Sequence, residues 1–298
     1  MKANLCKLAV LPLVALAGSV WGAPITFNTA LPIHEDGWVL REQLIYMKIA
    51  DDPTPAKRDM RVSGVMSVLG YGVTRDFALF GVLPYFDKRL DMTMGGQDLT
   101  RRKQGVGDLT LMGRYTAYEH NAPGRTWRIA PFLGVKAPTG NDDARDGLGR
   151  LPPQVQLGSG SWDLLGGVVG TYQTLDFQVD SQMSYKANRE ANGFRFGDVF
   201  QIDGSLQYRL WPRSLGSGVP AFLYGVLEAN LVHSAKDRDG GATDPNSGGT
   251  TLFLSPGLQY VTRKWIVEAG VQIPVVRNPN GSALKNNYVF TTGIRINF

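Results

Sequence analysis

The sequence predicts an all-β chain: a single transmembrane, antiparallel, up-and-down β-barrel of about twelve strands behind a cleaved signal peptide. Three observations predict it. The N-terminus reads as an export signal, segment after segment beyond it alternates apolar and polar residues with a period of two, and no later apolar run approaches the roughly 20 residues that a membrane-spanning helix needs.

The export signal comes first in the chain. Lys2 and Lys7 precede an apolar run from Leu8 to Ala17, and small residues follow at Gly18, Ser19 and Gly22. Cleavage after Gly22 places Val20 and Gly22 at the positions that a signal peptidase requires to be small, so residues 1–22 are assigned to the signal. The single cysteine, Cys6, precedes the apolar run and leaves with it. The mature chain then has no thiol, which excludes disulfides, zinc-thiolate sites and a cysteine nucleophile. Losing two lysines also leaves 29 basic against 26 acidic residues, a balance that points to no nucleic-acid partner.

Residues 23–36, with Pro24, Pro32 and His34, form a periplasmic N-terminal segment that either hangs free or folds inward as a plug; the barrel occupies residues 37–298. In the first strand Trp38, Leu40, Leu44 and Tyr46 share a face with Glu42, an interruption expected of a bulge or a rim position, as is Asp198 among Phe194, Phe196 and Phe200. Leu109, Leu111 and Tyr115 then oppose Asp108, Thr110, Arg114 and Thr116, and Trp127, Ile129, Leu133 and Val135 oppose Arg128 and Lys136. The clearest alternation runs from Leu175 to Asn188, with Phe177, Val179, Met183 and Tyr185 against Asp176, Gln178, Asp180, Gln182 and Lys186. Phe200, Ile202, Leu206 and Tyr208 face away from Gln201, Asp203, Gln207 and Arg209, and Trp265, Val267, Val271 and Ile273 from Glu268 and Gln272. The last strand sets Tyr288, Phe290, Ile294, Ile296 and Phe298 against Asn287, Thr291, Arg295 and Asn297. A terminal aromatic on the lipid face resembles the assembly signal read by the bacterial barrel-assembly machinery, which makes that machinery and outer-membrane lipid the expected partners.

Connection lengths check this order independently. Residues 74–76, 173–174 and 262–263 make short turns, whereas 139–160 and 233–249 are long and Gly/Asp-rich, and each falls at the barrel end that its parity requires. The stretches Glu119 to Arg125 and Trp211 to Gly218 are long for periplasmic turns. A soluble β-barrel also alternates with period two, but it buries its apolar face and exposes its charges. Here nearly every strand opposes a charged face to an apolar one, and Trp38, Trp162 and Trp265 at strand ends suit interfacial girdles.

Chemistry is sparse. A rim-site lipid-modifying enzyme needs a serine activated by histidine, and of His34, His120 and His233 only the last sits at the outer rim, beside Ser234. Neighbours on a strand point to opposite faces, so the two diverge and no catalytic residue is assigned. The acidic loops at 141–146 and at Asp237, Asp239 and Asp244 lack the spacing of a calcium loop, so no metal site and no cofactor is assigned. The expected lumen-lining groups are Asp108, Arg114, Arg128, Lys136, Asp163, Asp176, Asp180, Lys186, Arg195, Asp203, Arg209, Glu228, Glu268 and Arg295. They mix both signs, so they either line an open channel or pair across a modest bore and close it.

Four segments together carry a resemblance: Gly105-Val106-Gly107-Asp108-Leu109, Ala137-Pro138-Thr139-Gly140, Leu157-Gly158-Ser159-Gly160-Ser161-Trp162-Asp163, and Gly248 through Tyr260. The chain resembles the outer-membrane family named for the MetA pathway of phenol degradation, whose members are labelled as transporters. The resemblance implies a barrel in the outer membrane of a Gram-negative bacterium that admits small aromatic or other hydrophobic compounds. Passive passage of such solutes is therefore the leading expectation, with a closed structural or surface-interaction barrel as the alternative.

Overall fold

The computed structural model describes residues 22–214 and 221–298. The assigned signal peptide lies outside the described residues apart from Gly22, and the Trp211 to Gly218 connection is described only as far as residue 214. The described chain is a closed antiparallel barrel of twelve strands. These are β1 (Trp38–Ala50), β2 (Asp59–Gly72), β3 (Phe77–Met94), β5 (Arg125–Ala137), β6 (Asp163–Thr174), β7 (Phe177–Ala187), β8 (Val199–Trp211), β9 (Ala221–Ser234), β10 (Gly249–Thr262), β11 (Trp265–Pro279) and β12 (Lys285–Asn297), with β4 running end to end through Gln97–Val106, Leu109–Tyr115 and Tyr118–Ala122.

Each strand pairs with its sequence neighbours, and β12 pairs with β1 to close the ring. Phe298 extends that seam: its N–H donates to the Trp38 carbonyl at 3.0 Å, and its own carbonyl accepts the Trp38 N–H at 2.7 Å. Closure pairs most of the strand backbone without water, the condition for crossing a bilayer with strands, although the β11–β12 ladder ends at Gln272 and Val289. No helix among the described residues is long and apolar enough to cross a membrane.

Alternation decides what each strand buries. Leu133, Leu206, Leu227, Met183 and Leu258 stand exposed on the outer wall, while their neighbours Phe132, Ser205, Gln207, Glu228, Gln182 and Gln259 are buried inside it. Aromatic pairs ring one end, where Trp38 packs against Tyr71, Trp127 against Tyr172 and Tyr260 against Trp265. Leu227 lies midway along β9 and is 52% exposed. Leu227→Arg is expected to destabilise the folded barrel by about 2–4 kcal/mol, the cost of a lipid-facing guanidinium near the midplane. Urea unfolding in detergent-lipid vesicles measures it, and an unchanged midpoint would contradict the lipid-facing assignment.

Three local expectations are corrected or refined. The long turn at Glu119 to Arg125 is absent: β4 continues to Ala122, so His120 lies on a strand, and only residues 123–124 turn, with Gly124 at φ 74°. Glu42 needs no bulge, because register runs unbroken past it to Ser67 on one side and Ile294 on the other. It faces outward and accepts a 2.7 Å hydrogen bond from the Ser67 hydroxyl. Asp198 is not on an apolar strand face but in the loop before β8, where it receives the Tyr185 hydroxyl at 2.8 Å and Arg195 at 3.0 Å.

Loops at the outer end are built, not loose. Residues 188–198 and 235–248 zip together as a small four-stranded sheet. Within residues 138–162, Arg101 reaches in from β4 to hold Asp146 at 2.8 Å and the Gly149 and Arg150 carbonyls at 3.0 Å.

Candidate functional site

The candidate site is the bore, and residues 22–33 run through the half at its short-turn end, the half expected to face the periplasm. The inward faces of six strands grip this segment. Glu228 on β9 accepts the Ile25 N–H at 2.7 Å and the Thr26 N–H and hydroxyl at 3.1 and 2.5 Å. Gln182 on β7 accepts from Asn28, and Asp180 on the same strand accepts the Thr29 hydroxyl at 2.9 Å. Thr171 on β6 accepts the Ala30 N–H at 2.8 Å. From the far wall the Arg114 guanidinium on β4 donates to the Thr29 and Leu31 carbonyls, while Arg41 and Gln43 on β1 donate to the Ile25 carbonyl at 2.9 and 3.0 Å. Asn230 on β9 donates to the Thr26 hydroxyl at 2.9 Å, and Gln259 on β10 donates to the Ala23 carbonyl.

Proline and short polar residues suit the segment to this path, because a non-strand backbone inside a barrel must find a partner for each polar group on the wall. The wall leaves room by using glycine at the closest approach. A Cβ on Gly257 would lie 2.6 Å from the Ile25 Cδ1, and one on Gly72 would lie 2.0 Å from the His34 carbonyl oxygen. Below the segment, a cavity of about 540 Å³ opens between Leu31, Ile33, Val39, Arg128, Gln173 and Asn297.

The outer half is different. Lys136 on β5 sits between two carboxylates, Asp108 at 2.9 Å and Asp163 at 2.6 Å, with Lys186 3.7 Å from Asp163. Asp108 turns its other contacts to the outer loop, accepting the Gly140 and Ser159 N–H groups at 2.9 Å each. Beside this cluster the inward face of β1–β3 is apolar: Met47, Ile49, Met60, Val62, Phe86, Leu90 and Met92 pack against Ala144, Leu151 and Val155 of the 138–162 loop. Lys88 donates to the Gln156 carbonyl at 2.6 Å and pins the loop from the same wall.

The charged residues expected from the sequence thus fall into separate groups. Asp108, Lys136, Asp163 and Lys186 meet at the outer mouth, whereas Arg114, Asp180 and Glu228 hold the N-terminal segment. Glu268 binds Arg41 at 2.5 Å, and Asp203 accepts from Asn230 at 3.0 Å. Arg128 pairs with Glu119 at 2.9 Å, and Arg295 faces inward in register with Arg41 and Ile266. Three lie elsewhere than a strand interior: Asp108 is in the break of β4 between Val106 and Leu109, Asp176 is in the turn between β6 and β7, where it contacts Arg209, and Arg195 is in the outer loop sheet. Gln178, Gln182 and Gln207, which the sequence sets on the polar faces with Asp180, Asp203 and Arg209, are not among the expected lumen-lining groups, yet all three are buried inside the barrel. His233 is exposed and bonds Thr250 at 2.8 Å, on the wall face opposite to that of Ser234. No group of three or more His, Cys, Asp or Glu among the described residues is placed to hold a metal ion.

A closed twelve-stranded barrel with an apolar outside and a polar, filled inside defines an outer-membrane-type β-barrel. Among solved structures it is similar to an outer membrane channel from Pseudomonas putida F1, with a TM-score of 0.64 and 14% identity over 91% of this chain and 97% of that one. It also matches the β domain of the Bordetella autotransporter BrkA (TM-score 0.45, 14% identity, 88% of this chain, 99% of that one) and the CymD monoaromatic hydrocarbon channel (0.43, 11%, 96% and 95%). No curated protein sequence matches the chain. Residues 61–292 match the model of the family named for the MetA pathway of phenol degradation, and the chain belongs to that family.

Proposed function

We propose that the protein is an outer-membrane channel for passive passage of small hydrophobic or aromatic compounds. One observation carries the substrate class: beside the charged cluster of the outer half, β1–β3 present Met47, Ile49, Met60, Val62, Phe86, Leu90 and Met92 inward, and a second inward apolar group, Met112, Phe132 and Val169, lies against Ala30. That wall is covered by Ala144, Leu151 and Val155 of the 138–162 loop, so a solute reaches it where the loop yields; burying about 100 Å² of aromatic surface there contributes roughly 2–3 kcal/mol before the cost of displacing the loop. Family membership and the likeness to an outer membrane channel support the reading. Such passage needs no covalent step and no energy source. The test is uptake of monoaromatic solutes by proteoliposomes: Val62→Gln with Leu90→Gln is expected to lower it several-fold while leaving assembly intact. Unchanged uptake would separate the apolar wall from transport.

A second reading, a closed structural barrel, is favoured by the hydrogen bonds that fill the short-turn half. It predicts no solute flux through the purified protein under any condition. For assembly, the pairing of Phe298 with Trp38 at the barrel seam supports recognition of the last strand by the barrel-assembly machinery. Phe298→Ala is expected to reduce the amount of assembled protein in outer membranes several-fold without changing its folded stability. Equal yields would remove that role.

A further inference from the structure

Two fully buried glutamines point their oxygens at one place in the bore. Gln207 on β8 and Gln259 on β10 are each 0% exposed. Their amide nitrogens are engaged: Gln207 Nε2 donates to Asp180 Oδ2 at 3.2 Å, and Gln259 Nε2 donates to Glu268 Oε2 at 2.9 Å and to the Ala23 carbonyl at 2.5 Å. Those carboxylates fix which end of each amide is which, since a flipped amide would set oxygen against oxygen. The Oε1 atoms of both accept no hydrogen bond among the described residues. Both converge on Gly22, where a Cβ would lie 2.6 Å from Gln207 Oε1 and 3.5 Å from Gln259 Oε1.

A buried acceptor without a donor costs about 1–3 kcal/mol, so two at one point call for a group with several donors. A peptide N–H offers one; an α-ammonium offers three. A positive charge also suits the place, because Asp180 stands one hydrogen bond behind Gln207 and Glu228 holds the next residues along the chain, while Glu268 behind Gln259 is shared with Arg41.

We propose that this is a docking site for the protein's own mature N-terminus, created by hydrolysis of the Gly22–Ala23 bond. Water adds OH to the Gly22 carbonyl carbon and hydrogen to the Ala23 nitrogen, which takes a proton at neutral pH. The Ala23 ammonium then donates to Gln207 Oε1 and Gln259 Oε1. Processing by the export protease then completes the seating of the segment, since an uncut chain has a single N–H to offer there. The inference rests on the export signal read from the sequence and not on channel activity.

The test uses protein exported with its own leader and extracted from outer membranes. Intact mass and N-terminal sequencing are expected to give Ala23 as the first residue. Acetylation of that amine by an N-hydroxysuccinimide ester at pH 7 is expected to be at least about tenfold slower in the folded barrel than in urea. The double variant Gln207→Leu, Gln259→Leu is expected to react near the unfolded rate while keeping the gel mobility of a folded barrel. A first residue other than Ala23, an amine that reacts freely in the folded protein, or protection that survives the double variant would each overturn the proposal. Retention of residues 1–22 would sink the export reading itself, whereas a free amine on a correctly cut chain would sink the docking site alone.

Discussion

Deleting residues 24–33 is expected to turn a barrel that passes little current into one with clear stepwise conductance in planar bilayers. The segment fills the short-turn half of the bore, and its partners span the circumference: Gln43 on β1, Arg114 on β4, Thr171 on β6, Asp180 on β7 and Glu228 on β9. Without it those groups face water, which solvates them at little cost because the barrel wall is held by its own ladder. A twelve-stranded barrel lies between small barrels filled by side chains and large barrels that hold aqueous channels, so the occupant decides whether the bore conducts. A smaller rise is expected for Arg114→Ala, which releases only the Thr29 and Leu31 carbonyls. Unchanged current after the deletion would place the barrier in the outer half.

Lys136→Met is expected to cost about 3–5 kcal/mol in unfolding free energy, the penalty for stripping a buried ion cluster of its cation. Asp163 is 1% exposed and Asp108 is 9% exposed, so neither carboxylate regains water when Lys136 leaves. Lys186, 3.7 Å from Asp163, is the nearest substitute and does not reach Asp108 within ion-pair distance. Because Asp108 also holds the Gly140 and Ser159 N–H groups, the same variant loosens the 138–162 loop at both ends of its attachment. The triple variant Lys136→Met, Asp108→Asn, Asp163→Asn is expected to recover much of the loss, since it removes the uncompensated charge as well. Thermal melts of all three proteins in detergent decide it; a single variant with wild-type stability would mean that the cluster contributes nothing.

The barrel was legible in the sequence because lipid and lumen impose opposite chemistry on alternate residues. From Gln178 to Met183 buried polar residues alternate with exposed ones, Val179, Ser181 and Met183, so one strand suffices to read both sides. Where that contrast vanishes the reading loses detail. Strands β2 and β3 carry apolar residues on both faces, as in Met60 and Val62 inside against Val65 and Leu69 outside, so a period of two could not single out the inner apolar wall. Charges were found and their partners were not. Lys136 with Asp108 and Asp163 is an assembly of three strands, and Arg114 meets backbone carbonyls of a segment more than 80 residues earlier in the chain. The inward path of residues 22–33 left no periodic trace, because its backbone bonds go to side chains of the wall and not to a neighbouring strand.

A bore with an apolar wall of this kind passes small hydrophobic solutes and not polar ones of the same size. The most direct measurement is the initial rate of uptake of a labelled monoaromatic compound, beside a sugar of similar size, into liposomes with a lipopolysaccharide outer leaflet. With the protein present, aromatic uptake is expected to exceed that of empty vesicles several-fold while sugar uptake stays near the empty-vesicle rate; equal acceleration of both solutes, or of neither, would contradict the account.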